Sequence, residues 1–152
     1  MKTIYKSAIC EKTLTVSERK SDFIKKKITT SQSARDYIKQ FYFDDIEIYE
    51  SFFLLLLNVS GNTIGYVKIG QGGTSSTVVD VKIVAKYCIE TLAASVILGH
   101  NHPSGTTTPS ENDKTITNTI KNTLSIFGCK VLDHIILTGT EQYYSFADEG
   151  LI

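Results

Sequence analysis

Apolar positions along the chain recur with two periods, and the switch between them divides it into elements. Ser33-Ala34-Arg35-Asp36 opens the first clear helix: Ser33 can cap it, and Ala34, Tyr37, Ile38, Phe41 and Tyr42 recur at three- and four-residue spacing. Upstream, Ile4 to Val16 alternates only loosely and predicts a weak strand, while Ser17 to Lys27 reads as a polar loop or irregular edge. The character changes after Glu50. Phe52 to Leu57 is a continuous apolar run closed by Asn58-Val-Ser-Gly-Asn, the pattern of a strand buried on both faces. Thr63 to Ile69 follows as its hairpin partner across a Gly61-Asn62 turn. Gly70, Gly72 and Gly73 make a connection, and no lysine with Ser or Thr follows them as a phosphate-binding loop requires.

Asp80 can cap a second helix whose apolar face is Val81, Val84, Ala85, Cys88, Ile89 and Leu92, running to Ala94. Val96 to Gly99 is too short for a helix and too apolar for a surface loop, so it predicts a buried strand with His100 at its end. A third helix is expected from Ser110 to about Phe127, with Ile116, Ile120, Leu124 and Phe127 as its stripe and Gly128 as its stop. Lys130 to Thr138 and Glu141 to Ser145 form a last strand pair around Gly139. The order β-β-α-β-α-β-β after an N-terminal helix predicts a single α/β layered domain, a mixed sheet flanked by helices. Within it, residues 1–45 are expected as a strand and helix extension packed on a domain spanning 46–152.

Composition narrows the function more than the fold. A chain of 152 residues supports one core. Its 16 basic and 16 acidic residues balance, so the chain lacks the electrostatic footprint of non-specific nucleic-acid binding. The basic first thirty residues and the acidic stretch from Asp36 to Glu50 read as solvated faces. Cys10, Cys88 and Cys129 are widely spaced and odd in number, which suggests neither a disulfide framework nor a thiolate metal site. With no apolar signal region and no run near the roughly twenty residues of a membrane helix, a soluble cytoplasmic chain is expected.

The chemistry concentrates in His100-Asn-His102-Pro-Ser-Gly and the following Ser110-x-x-Asp113. Residues two apart on an extended strand share a face, so His100 and His102 can offer two imidazole nitrogens to one ion. Ser110-x-x-Asp113 at a helix start resembles a capping box, and that reading alone accounts for it. If the helix start faces the histidines, Asp113 supplies a carboxylate instead. Two His and one carboxylate leave a fourth tetrahedral position to water, as in catalytic zinc sites. Such a site needs a base, for which Glu50 and Glu47 stand before the first buried strand; Glu50 abuts it directly, and spacing alone does not choose. His134, in the apolar run Val131 to Leu137, is expected as a buried hydrogen bonder facing away from the side of Asp133.

Glu50, His100-x-His102, seven residues and Ser110-x-x-Asp113 together resemble the JAMM motif of MPN-domain metalloproteases. The string His-Asn-His-Pro-Ser-Gly, with Pro109-Ser110, Leu132-Asp133-His134-Ile135 and Tyr144-Ser-Phe-Ala-Asp-Glu-Gly-Leu151, is similar to the RadC family in particular. The resemblance implies an MPN/JAB-like fold with Zn2+ held by His100, His102 and Asp113. It implies Glu50 as general acid and base and Ser110 as donor to the oxyanion of a tetrahedral intermediate. The implied substrate is a peptide or isopeptide bond. The alternative is a DNA-repair or mobile-element accessory protein that binds DNA or protein partners without hydrolysis. RadC relatives usually carry an N-terminal helix-hairpin-helix region that residues 1–45 do not match, which weighs against the DNA role. Where many relatives read Pro-Arg-Glu near the start of the helix before the zinc strand, this chain has Val81-Lys82-Ile83, closer to a subfamily reading Thr-Val-Val-Asp-Val, a difference expected to bear on substrate choice.

Overall fold

The computed structural model describes residues 24–73 and 77–152. The expected strand from Ile4 to Val16 lies outside them. Three helices and five strands follow in order: α1 (Ser31–Lys39), β1 (Ser51–Leu57), β2 (Thr63–Gln71), α2 (Val81–Thr91), β3 (Ser95–Asn101), α3 (Glu111–Ser125), β4 (Lys130–Leu137) and β5 (Tyr143–Ser145). This is the predicted element order, assembled as one α/β layered domain. Among the described residues, no helix is long and apolar enough to cross a membrane.

The strands form one mixed sheet in the order β2-β1-β3-β4-β5, with only β3 and β4 parallel. A parallel pair needs a long crossover, and α3 provides it. The apolar run in β1 is explained by its position inside the sheet, covered on both faces. Phe52, Leu54 and Leu56 pack with Val84 and Cys88 of α2 and with Ile120 and Leu124 of α3. Phe53, Leu55 and Leu57 pack on the opposite side with Ala34, Tyr37 and Ile38 of α1 and with Phe41 and Tyr42 beyond it. Each of these leucines contributes about 1.5–3 kcal/mol by leaving water, which makes β1 the centre of the fold.

Several element ends differ from the pattern-based expectation. Thr30, not Ser33, caps α1: the Thr30 hydroxyl accepts from Ser33 N–H, and Ser33 Oγ in turn accepts from Thr30 N–H, so Ser33 is the returning member of a capping box. Helix α2 stops at Thr91 because Leu92 adopts the left-handed conformation, at φ 52°, and closes the last turn with its N–H. Leu92 therefore leaves the apolar face and is exposed, and Ile89 is exposed within the helix itself. Phe127 likewise lies past the end of α3 and is exposed, ahead of Gly128 at φ 71°. The buried stripe of α3 is Asp113, Thr117, Ile120 and Leu124, apolar in its second half and polar in its first.

Helix α1 lies directly on β3 at Gly99. A Cβ there would stand 2.8 Å from Ile38 Cγ2 and 3.1 Å from Cδ1, with the β-branched Ile38 fully buried and unable to retreat. Gly99→Ala should therefore lower stability by about 1–3 kcal/mol through overpacking. Adding Ile38→Ala should recover part of that loss, relative to the sum of the single changes, in urea unfolding; strict additivity would contradict the contact.

Candidate metal centre

The site forms where the carboxyl end of β3 meets the N-terminus of α3. Alternation along β3 turns Val96 and Leu98 towards α2 and α3, and His100 is next on that face. The ladder continues beyond the strand, because His102 N–H donates to Leu137 O at 3.0 Å. Pro103 and Gly105 then turn the chain, with Gly105 at φ 81°, and Ser110 starts α3.

Three of the predicted site residues converge. His100 Nε2 and His102 Nε2 are 2.9 Å apart, and the Asp113 carboxylate lies 3.2 Å from the first and 3.5 Å from the second. Four ligands about 2.0–2.2 Å from a tetrahedral zinc stand about 3.3 Å from one another, so the three separations match edges of that figure. The donor set, two imidazoles and a carboxylate, also suits such an ion. His102 Nδ1 contacts Thr106 O at 2.9 Å. A carbonyl only accepts, so Nδ1 carries the proton and the neutral ring keeps its lone pair at Nε2. His100, His102 and Asp113 together form a group able to hold a metal ion.

Electrostatics bind the cluster together. The adjacent Asp113 carboxylate, which favours the protonated ring, raises the His102 imidazole against the opposing effect of burial, and the charge of Glu50 adds a smaller contribution. Burial pushes the Asp113 carboxyl up, but the adjacent imidazoles of His100 and His102 and the hydrogen bond from Ser110 together outweigh it and hold the group well below the usual carboxylate range. Asp113 is thus an anion at neutral pH.

Helix capping and membership of the cluster are compatible, because a carboxylate has two oxygens. Asp113 Oδ2 accepts from the Ser110 N–H and hydroxyl, both at 2.7 Å, while Oδ1 points towards His100 Nε2. Ser110 Oγ also accepts from Asp113 N–H, completing the capping box.

Glu50 extends the same geometry from the other side. Its backbone continues the β1–β2 ladder, accepting from Gly72 N–H and donating to Gly73 O. Phe52 pairs with His100 at the end of the antiparallel β1–β3 ladder, so Glu50 lies just beyond the strand entrance on the side of the site, near enough for its charge to act on His102. Glu47 is engaged elsewhere: its carboxylate covers Gly139 so closely that a Cβ there would overlap it. The structure therefore separates the two glutamates that spacing leaves equivalent.

A profile of the RadC-like JAB domain matches residues 28–151. The chain belongs to this family. A UPF0758 protein of Flavobacterium johnsoniae is 47% identical over 103 residues, covering 68% of this chain and 44% of that protein. In Escherichia coli, UPF0758 protein YfjY is 45% identical over 103 residues, 68% of this chain and 64% of its own length. UPF0758 protein YkfG of the same organism is 41% identical over the same length, at 68% and 65%. The chain thus spans less than half of the Flavobacterium protein and under two thirds of the two E. coli proteins. None of these names specifies a reaction.

In this RadC-like JAB domain, two supports of the site have no signal in local spacing. Asn101, between the histidines, faces the opposite side and is fully buried. Its Oδ1 accepts from Ser51 N–H at 2.8 Å, and its Nδ2 donates to Ile46 O at 2.6 Å and Tyr49 O at 2.8 Å. One side chain thereby ties the segment carrying Glu50 to the strand carrying the histidines. Thr117 is the second: its hydroxyl contacts Asp113 O and His134 Nδ1. His134, expected as a buried hydrogen bonder, contacts His100 Nδ1 at 2.7 Å through its Nε2. Burial holds its imidazole well below the ordinary value, so it is neutral at pH 7. Phe146 stacks on its ring at 4.8 Å and Phe52 meets it edge-on at 5.5 Å, closing that side to water. Asp133 turns away, accepting from Ser145 Oγ and from the backbone N–H groups of His134 and Ala147.

Asn101→Ala should cost about 1–3 kcal/mol by stranding buried backbone groups, and should speed hydrogen exchange of the Ser51 amide at least about tenfold. An unchanged Ser51 rate would show that Asn101 does not hold this segment.

Proposed function

We propose that this domain is a zinc-dependent hydrolase that cleaves a peptide or isopeptide bond, with His100, His102 and Asp113 holding the ion. The observation that supports this most is the convergence of two imidazole Nε2 atoms and an ionised carboxylate at 2.9–3.5 Å, with the His102 lone pair aimed inward. Acceptors brought so close repel unless a proton or a metal cation lies among them. Family membership supports the same reading, because the JAMM-like motif of Glu50, His100, His102, Ser110 and Asp113 is complete.

A zinc ion held by His100, His102 and Asp113 would supply Lewis acidity, polarising a carbonyl and making water a better nucleophile at neutral pH. Glu50, whose charge acts on His102, takes the proton of the attacking water and delivers it to the leaving amine. Ser110, the donor the motif assigns to the oxygen on which negative charge develops, gives its one hydroxyl proton to Asp113 Oδ2 in this structure and turns it to that oxygen in the reaction. The balanced charge of the chain gives the DNA-binding alternative no comparable support.

The test is zinc content and turnover of a fluorogenic peptide and isopeptide panel by the wild type, Glu50→Gln, His102→Ala and Asp113→Ala. Both alanine variants should lose stoichiometric zinc. Glu50→Gln should keep it while hydrolysis falls about 10²–10⁴-fold. Equal zinc content in all four proteins would refute the metal centre, and undiminished turnover by Glu50→Gln would refute its role as base.

A further inference from the structure

The route from His100 back to the start of α3 is a closed chain of buried contacts. It runs from His100 Nδ1 to His134 Nε2 at 2.7 Å, from His134 Nδ1 to Thr117 Oγ1 at 2.5 Å, and from Thr117 Oγ1 to Asp113 O at 2.5 Å. His100, His134 and Thr117 are 1%, 0% and 3% exposed, so water does not substitute for any partner. Every step must hold one proton, and each of these three side chains in its neutral form has one to give.

Only one arrangement satisfies all three contacts. The Asp113 carbonyl accepts and never donates, so the Thr117 hydroxyl must give its proton there, as helical threonines do to the carbonyl four residues back. Were that proton turned to His134 instead, two bare oxygens would face each other at 2.5 Å. With its proton committed, Thr117 Oγ1 accepts, which requires the His134 proton at Nδ1. His134 Nε2 is then an acceptor, which requires the His100 proton at Nδ1. The remaining His100 nitrogen, Nε2, carries a lone pair and faces His102 and Asp113.

We propose that Thr117 and His134 form a one-way hydrogen-bond relay that holds His100 in the tautomer offering its Nε2 lone pair to the metal. They are positioning residues, acting on the ion only through His100, and the inference rests on the metal-centre reading above. The relay makes the two ends of Asp113 cooperate. Its side chain joins the ligand cluster, while its backbone carbonyl sets the direction of the chain that orients another ligand.

Removing the Thr117 hydroxyl leaves His134 Nδ1–H without an acceptor. The ring then gains by moving its proton to Nε2, which sets two donors against each other unless His100 also shifts its proton to Nε2. There it bonds to the Asp113 carboxylate and blocks the metal position. Thr117→Val keeps the volume and loses the relay, whereas Thr117→Ser keeps the hydroxyl.

Two measurements test this. Zinc affinity, by competition with a chelating dye, should weaken about 10–100-fold in Thr117→Val and stay within about threefold of wild type in Thr117→Ser. Long-range ¹H–¹⁵N imidazole spectra of the metal-free wild type should show His100 and His134 both protonated at Nδ1, with the two protons moved to Nε2 in Thr117→Val. Wild-type affinity in the valine variant, or a His134 proton on Nε2 in the wild type, would overturn the relay. A wild type that binds no zinc but shows both rings protonated at Nδ1 would refute the metal reading and leave the relay standing.

Discussion

The two oxygens of the Asp113 carboxylate join the start of α3 to the end of β3, and the arrangement of the site depends on that connection. Oδ2 closes the capping box with Ser110, which fixes where the helix begins. Oδ1 meets His100, which fixes where the helix points. An N-cap contributes about 1 kcal/mol to a helix, too little to hold an anion among two histidines by itself. The position is held by burial of Ile120 and Leu124 against β1 and β3, so the apolar half of the stripe carries the polar half into place.

The sheet supplies the second half of the geometry. Because β1 and β3 are antiparallel, the entry to β1 lies beside the exit from β3, and the charge of Glu50 acts on His102. Because β3 and β4 are parallel, the crossover returns α3 over the same end of the sheet. His-x-His places both imidazoles on one face and leaves Asn101 on the other, where it ties down the segment from Ile46 to Ser51. Neighbouring residues in the motif thus serve opposite sides of the sheet, the histidines the ligand cluster and the asparagine the strand entrance.

Elements with a strong period were legible in the sequence because burial imposes the period. The run in β1 reads as buried on both faces, and it packs against α1 on one side and against α2 and α3 on the other. Helix ends were less legible, since they depend on caps and backbone conformation: Leu92 looks like the next turn of α2 but ends it, and Thr30 caps α1 ahead of the more conspicuous Ser33. In the site, His100, His102, Ser110 and Asp113 stand out because their relations are local. Asn101 and Thr117 do not, since Asn101 bonds Ile46 across 55 positions and Thr117 meets His134 across 17. Local spacing is blind to contacts made by folding. Capping and membership of the histidine cluster were not separable at Asp113 from the letters because the carboxylate serves both.

The central claim is that His100, His102 and Asp113 share one metal ion. An anomalous difference map at the zinc absorption edge, from crystals of the protein grown with zinc, tests it most directly. The account predicts a single strong peak bounded by His100 Nε2, His102 Nε2 and the Asp113 carboxylate, with an open side towards Glu50. A map with no peak there, or with zinc held by other side chains, would contradict it.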